Sequence, residues 1–169
     1  MTMQSDTGAD GSTGPGRRLD ELVHGGHTVA MLMTMIDGAH SSRPLTCLEV
    51  DGDEARFLVS LHTDWVQALA RGEATVHLTV ADTGHNVYFA ANGTATISRD
   101  EVLRRHLWSP AADAFFDGPD DPDLGVLVFA ASDGEYWEGP GSKLGRSLAM
   151  LRGAMHHDGE AVGRSGPIV

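Results

Sequence analysis

The chain has 169 residues, with 24 acids against 12 Lys and Arg and a formal net charge of −12. An acid excess of this size argues against duplex DNA, RNA and an anionic membrane as main partners, because phosphate arrays are met by a basic footprint; one small phosphorylated ligand, which needs only one or two local cations, stays open. An apolar content of 41% supports a packed core, and the single Cys excludes a disulfide framework or a Cys-rich metal site.

Met1–Gly16 holds no aromatic and reads as a disordered tail (1–16). The folded unit is expected over 17–155, with a flexible tail over 156–169. The most apolar run, Val29–Ile36, is far shorter than the ~20 residues of a spanning helix. Met1–Gly16 also lacks the pattern of an export signal, so the expected location is cytoplasmic.

Arg18–Val23 predicts a short helix stopped by Gly25-Gly26. His27–Ile36 follows as an apolar, Met-rich strand, and Asp37-Gly38 as a hairpin turn. Arg43–Val50 reads as a second strand, Asp51-Gly52-Asp53 as a turn, and Glu54–Ser60 as a third strand. Asp64–Ala70 predicts a helix, with Asp64 and Gln67 as a capping box and Gly72 as its stop. Glu73–Ala81 alternates, with Val76, Leu78 and Val80 on one face, so a half-buried strand is expected. Val87–Ile97 is a long strand in which Gly93 marks a bulge or a close backbone approach. Ser98 and Glu101 predict another capping box, opening a helix to Leu107, and Ala111–Phe116 a further helical turn. Gly125–Ala131 and Glu135–Glu138 are one bent strand or a hairpin. Ser142–Met155 predicts an amphipathic helix.

Six strands joined by short turns cannot be parallel, and a sheet of six removes its edges best by closing. The expected fold class is therefore mainly β, an antiparallel barrel with peripheral helices.

Few residues offer chemistry. His24 and His27 lie three apart, and His156 and His157 are adjacent, but neither pair has Cys or carboxylates at zinc spacing, so no metal site is expected. Cys47 sits in an apolar strand, as a small buried hydrophobe does. From His106 to Ser142 there are eight acids and no Lys or Arg, which reads as a solvated acidic stretch. In the first three strands and the helix after them, Arg43, Arg56 and Arg71 are the only cations. Arg43 precedes Pro44, which restrains it to extended geometry; it is either an edge-strand Arg or a fixed fork for a phosphate. Thr63 stands where a helix N-terminus opens, as a cap or as an anion donor.

An ordered series of segments resembles a known family. It comprises Val29–Thr34, His40-Ser41-Ser42-Arg43-Pro44-Leu45, Phe57–Ser60 running into Thr63-Asp64-Trp65-Val66, Leu107-Trp108-Ser109-Pro110, Ala114-Phe115-Phe116, Asp120–Leu124 and Glu135-Tyr136-Trp137-Glu138. Together they are similar to the general stress protein branch of the FMN-binding split-barrel proteins, relatives of pyridoxamine-phosphate oxidase, over about Leu19–Leu151. The resemblance implies a six-stranded antiparallel split β-barrel of Greek-key type, a homodimer, and FMN at the dimer interface. It implies that Arg43 pairs with the phosphate, that Pro44, Leu45, Val59 and Ser60 flank the ribityl chain and ring, and that Thr63 donates to the phosphate. Trp108 and Trp137 are implied as pocket-closing residues, from the partner subunit or as packing.

The chain departs from that family at the helix start and at the strand end before it. A Ser, one residue, then Lys is usual at the helix start; here the run is Thr63-Asp64-Trp65. Trp65 removes a cation and Asp64 adds an acid, with Arg56 or Arg71 as candidates to replace the charge. The usual Thr-Asp at the strand end is Val59-Ser60. The expected function is a flavin-dependent oxidoreductase without an assigned catalytic residue, His40 and His62 being the first candidates for proton transfer. The alternative is a non-catalytic stress-response protein that has lost tight FMN binding, or that binds another flavin-like cofactor or haem, with Trp65 and His62 as a stacking surface.

Overall fold

The computed structural model describes residues 15–24, 27–72, 74–139 and 164–168. In chain order the elements are α1 (Leu19–Leu22), β1 (Thr28–Ile36), β2 (Ala39–Cys47), β3 (Glu49–Asp51), β4 (Glu54–Ser60), α2 (Asp64–Ala70), β5 (Ala74–Asp82), β6 (Val87–Ser98), α3 (Glu101–Leu107), a 3₁₀ turn (Pro110–Ala114), β7 (Leu124–Glu138) and β8 (Arg164–Ile168).

The period-2 pattern decides which face each strand buries. Val76, Leu78 and Val80 of β5 point inward as the alternation predicts. Ala55, Phe57 and Val59 of β4, and Val87, Phe89 and Ala91 of β6, join them. Leu19 and Leu22 of α1, with Val66 and Leu69 of α2, complete the same core. Each buried Val, Leu or Phe among them contributes roughly 1.5–3 kcal/mol by leaving water. The β1–β2 hairpin turns on Asp37 and Gly38, both at positive φ (50° and 79°), the mirror-image geometry that suits the right-handed strand twist.

The sheet runs β2-β1-β5-β6-β7-β4-β3, with β8 also on β7; every strand pair is antiparallel. β2 and β3 stand at opposite ends of this order, yet Leu48 alone separates them in the chain. One residue spans at most about 3.6 Å, so the two ends must lie side by side and the sheet must curl into a barrel. The closure is pinned where Leu48 N donates to Arg56 O (3.0 Å) and His27 N donates to Cys47 O (3.1 Å). Beyond that pinch no ladder joins β2 to β4, so the barrel is split along this line.

β7 holds the rest together. Its first half pairs with β4 and its second half with β8, while β6 follows its other edge throughout. The β6–β7 register shifts at Asn92/Gly93. A Cβ on Gly93 would run into the Ala130 carbonyl oxygen and the Phe129 ring, so the expected bulge and close approach coincide. The two candidate segments around Asp133-Gly134 are thus one long strand, not a hairpin.

Several expectations are corrected. The mainly β, antiparallel split-barrel class holds, but the described residues form eight strands where six were expected. The second expected strand is broken at Leu48 into β2 and β3, because the chain there passes from one end of the sheet to the other. The eighth strand lies in the expected C-terminal tail: within Arg164–Ile168, Gly166 and Ile168 are buried, and Ile168 packs in the core. At the other end Tyr136 Oη donates to Pro15 O (3.1 Å) and Arg17 N to Pro167 O (3.0 Å), so order begins before residue 17. The helix caps also shift. Thr63, not Asp64, is the N-cap of α2, and the Gln67 amide turns back to the carbonyls of Leu61 and His62. Asp100, not Ser98, caps α3 by accepting from Leu103 N (2.8 Å), since a carboxylate next to the helix takes the open N–H first. The expected helix Ser142–Met155, the Gly25-Gly26 stop, residues 1–14 and 156–163 lie outside the described residues. Among the described residues no helix is long and apolar enough to cross a membrane.

Candidate functional site

From the pinch at Leu48, β2 and β4 diverge, and a groove of about 460 Å³ opens between them. Pro44, Leu45 and Thr46 form one wall, Leu58, Val59 and Ser60 the other, with Trp65 of α2 joining them. The segment after α3 lies against it through Ser109, Ala111, Ala112, Phe115 and Phe116, and His27 and Asp123 add polar groups. A volume of this size with mainly apolar walls is typical of a small-molecule site.

Arg43 lies immediately before Pro44 and is half-buried. Its Nη1 donates to Thr34 Oγ1 (3.3 Å) and its Nη2 to Ser41 Oγ (2.6 Å). The guanidinium carbon stands 4.2 Å from the centre of the Trp65 ring. Trp65 therefore does more than remove a cation: its electron-rich face holds the cation that remains, an interaction of about 0.5–1 kcal/mol at a partly exposed site. Burial lowers the Arg43 pKa from its ordinary value, yet a guanidinium stays charged near neutrality. Among the described residues no carboxylate pairs with Arg43. Arg56, in contrast, is committed to Glu49, Asp51 and Glu54 and does not replace the missing Lys. Arg71 ends α2 as its C-cap and does not line the groove.

The turn from β4 into α2 is fixed by Asp123. Ser60 Oγ donates to its Oδ2 (2.5 Å), His62 N to its Oδ1 (2.9 Å), and Leu61 N to its carbonyl (2.8 Å). Thr63 Oγ1 donates to Ser60 O (2.9 Å), so that hydroxyl stiffens the turn, and Thr63 does not line the groove. Of the expected site residues, Pro44, Leu45, Val59, Ser60 and Trp65 line the groove together; Arg43 does not line it, but stacks on Trp65, which does. It does not bring Trp108 or Trp137 to this groove. Trp108 is the half-buried C-cap of α3, one residue before the lining Ser109. Trp137 sits on the far half of β7, opposite Tyr88 and Ser165, and is exposed.

His40 is exposed opposite Met35 on the β1–β2 hairpin, and His62 is exposed with Nε2 3.4 Å from Asp123 Oδ1; neither lines the groove. His27 does, and its φ of 75° sets it apart. Sequence reasoning gave no role to His27, Asp123, Phe115 or Phe116. The last two were legible as a pair of large apolar residues in a polar stretch, and Phe115 is 81% exposed at the groove. Cys47 is buried, and burial pushes its thiol up to about 11, as fits an inert core residue.

Pyridoxamine 5′-phosphate oxidase-like proteins match residues 16–160 of the chain as a family. Among solved structures, the chain is similar to a general stress protein 26 from Jannaschia sp. CCS1, with 25% identity and a TM-score of 0.70, covering 82% of this chain and 89% of that one. A protein related to general stress protein 26 from Clostridium acetobutylicum shares the fold at 24% identity and a TM-score of 0.57, covering 66% and 80%. So does a general stress FMN/FAD binding protein from Xanthomonas citri, at 24% identity and 0.57, covering 66% and 82%. No curated protein matches. The match runs from α1 through the end of β7 and so takes in both walls of the split: the chain belongs to the pyridoxamine 5′-phosphate oxidase-like family.

Proposed function

We propose that the chain is an FMN-binding protein of the general stress type and a flavin-dependent oxidoreductase, holding its cofactor in the groove between β2 and β4. One observation carries this reading: Arg43 is oriented by Ser41, Thr34 and Trp65 beside an apolar groove, with no carboxylate among the described residues pairing it. A planar guanidinium fork fits a phosphate, and a groove of about 460 Å³ fits a flat ring system. The similar Xanthomonas citri protein, described as FMN/FAD binding, supports the same ligand class.

In this reading Arg43 binds the phosphate. Pro44, Leu45, Val59 and Ser60 bracket the remainder, and Trp65 keeps the guanidinium in place. Thr63 and Asp123 act through the turn they stiffen. Bound flavin supplies two-electron redox chemistry; the protein supplies orientation and charge. Phe115 and Phe116 exclude water from one side.

A homodimer belongs to the same proposal. Val29, Met31 and Met35 are exposed along the outer face of β1, an apolar strip in the middle of a sheet. In such a dimer Trp137, exposed and away from its own groove, would close the partner's groove, and Trp108 would pack beside it.

The test is spectroscopic. The purified protein should carry a flavin spectrum or quench FMN fluorescence at micromolar concentration, and Arg43→Ala should lose that binding. Wild-type protein that stays colourless and leaves FMN fluorescence unchanged sinks the proposal and leaves the non-catalytic alternative, which the missing Lys at Trp65 favours.

A further inference from the structure

Outside the groove lining, three side chains from separate segments converge. His24 follows α1, while Asp82 and His85 flank the turn between β5 and β6. One ligand atom from each lies within 4.8 Å of the others. The two imidazoles stack, with centroids 4.7 Å apart and planes 18° from parallel. Asp82 is held by three donors: Gly84 N (3.0 Å) and His85 N (3.1 Å) on Oδ1, and His85 Nδ1 at 2.7 Å from Oδ2. Burial acts against the Asp82 charge, but these hydrogen bonds outweigh it and hold its pKa below the ordinary carboxylate value.

The other histidine contacts are of a different kind. His77 meets Asn92, His106 meets Glu49 and His62 meets Asp123. Among the described residues only the His24 group collects three potential ligands.

We propose that His24, Asp82 and His85 form a binding site for a divalent first-row transition ion of the zinc class. Two imidazoles and one carboxylate are the donor set such ions take, leaving an open position for water. Zinc–ligand distances of about 2.0–2.2 Å place tetrahedral ligand atoms roughly 3.3–3.6 Å apart, so the cluster closes on an ion by a side-chain shift of about 1–1.5 Å. His85 Nδ1 and Asp82 Oδ2 already stand 2.7 Å apart, and an ion entering between them displaces the proton of that hydrogen bond to solvent. The His85 ring is 57% exposed, which leaves a path of entry. The bound ion ties the segment after α1 to the β5–β6 turn, two parts of the chain nearly sixty residues apart, and so acts as a clamp on the fold.

The experiment uses the untagged, chelator-treated full chain, titrated with Zn(II) by calorimetry and with Co(II) by visible absorption. The expected result is one ion per chain at micromolar affinity, a four-coordinate Co(II) spectrum, and a rise in Tm with Zn(II). His24→Ala and Asp82→Asn should each weaken binding by about tenfold or more, and His62→Ala should not. Asp82→Asn keeps an oxygen acceptor for the turn, so its loss of affinity separates ligation from folding. Equal affinity in wild type and in a His24→Ala/His85→Ala variant, or no rise in Tm with Zn(II), overturns the proposal and assigns any bound ion to the remaining histidines.

Discussion

On the β5–β6–β7 side of the barrel every strand has a laddered neighbour along both edges; on the β2–β4 side the two walls share no ladder beyond the pinch at Leu48. The sequences differ accordingly. β5 and β6 alternate Val, Leu, Phe and Ala inward, β7 opens on a continuous buried run, Leu124–Leu127, and none of the three carries a proline. β2 reads Ala-His-Ser-Ser-Arg-Pro-Leu-Thr-Cys, buries only Cys47, and contains Pro44, which has no N–H to offer a neighbouring strand. The hydrophobic effect closes one side, and its absence leaves the other open for a ligand.

Substitutions on the two sides should therefore be read by different instruments. The largest effect belongs to the closed wall: Phe129→Ala, at a fully buried position, should cost about 3–5 kcal/mol in urea unfolding. Gly93→Ala should cost about 1–3 kcal/mol, because the added methyl meets Ala130 O and the Phe129 ring. A loss under 0.5 kcal/mol at either site would mean the wall is less tightly built than its ladders indicate. At the split the order reverses. Arg43→Ala should leave stability almost unchanged while FMN affinity falls by about tenfold or more, the share of one charged hydrogen bond. Trp65→Ala should lower that affinity by roughly two- to fivefold through the freed guanidinium, and Trp65→Phe by less. The smallest change is expected at the pinch: native Cys47 should resist iodoacetamide at neutral pH and react on unfolding. Rapid native alkylation would show that the pinch opens.

How far the sequence announced this molecule depends on the kind of signal. The strands of the closed wall were legible from alternation, and the Gly93 bulge from one misplaced glycine, because both are local rules. The break at Leu48 was not legible: the residues around it suit a strand, and what divides them is the identity of two distant partners, β1 and β4. β8 was hidden because Gly166 and Pro167 read as loop residues, and the tertiary contact of Ile168 overrides them. At the candidate site Arg43 and Pro44 could be singled out from charge scarcity and chain stiffness. The stacking of Arg43 on Trp65 could not, since no spacing rule joins β2 to α2. Asp123 was masked by the acids around it, of which it alone lines the groove.

The partner choice of β7 has a consequence for how the chain is made. Ser60 at the end of β4 bonds Asp123 across 63 positions, so β4 waits for the ladder strand that follows it by that interval. At roughly 5–20 residues per second the ribosome needs about 3–13 s to supply it. During that time the β1–β2 hairpin can form from local contacts, while β4 offers an unpaired edge to whatever is nearby. A nascent chain that ends before β7 therefore exposes an edge that the finished barrel covers.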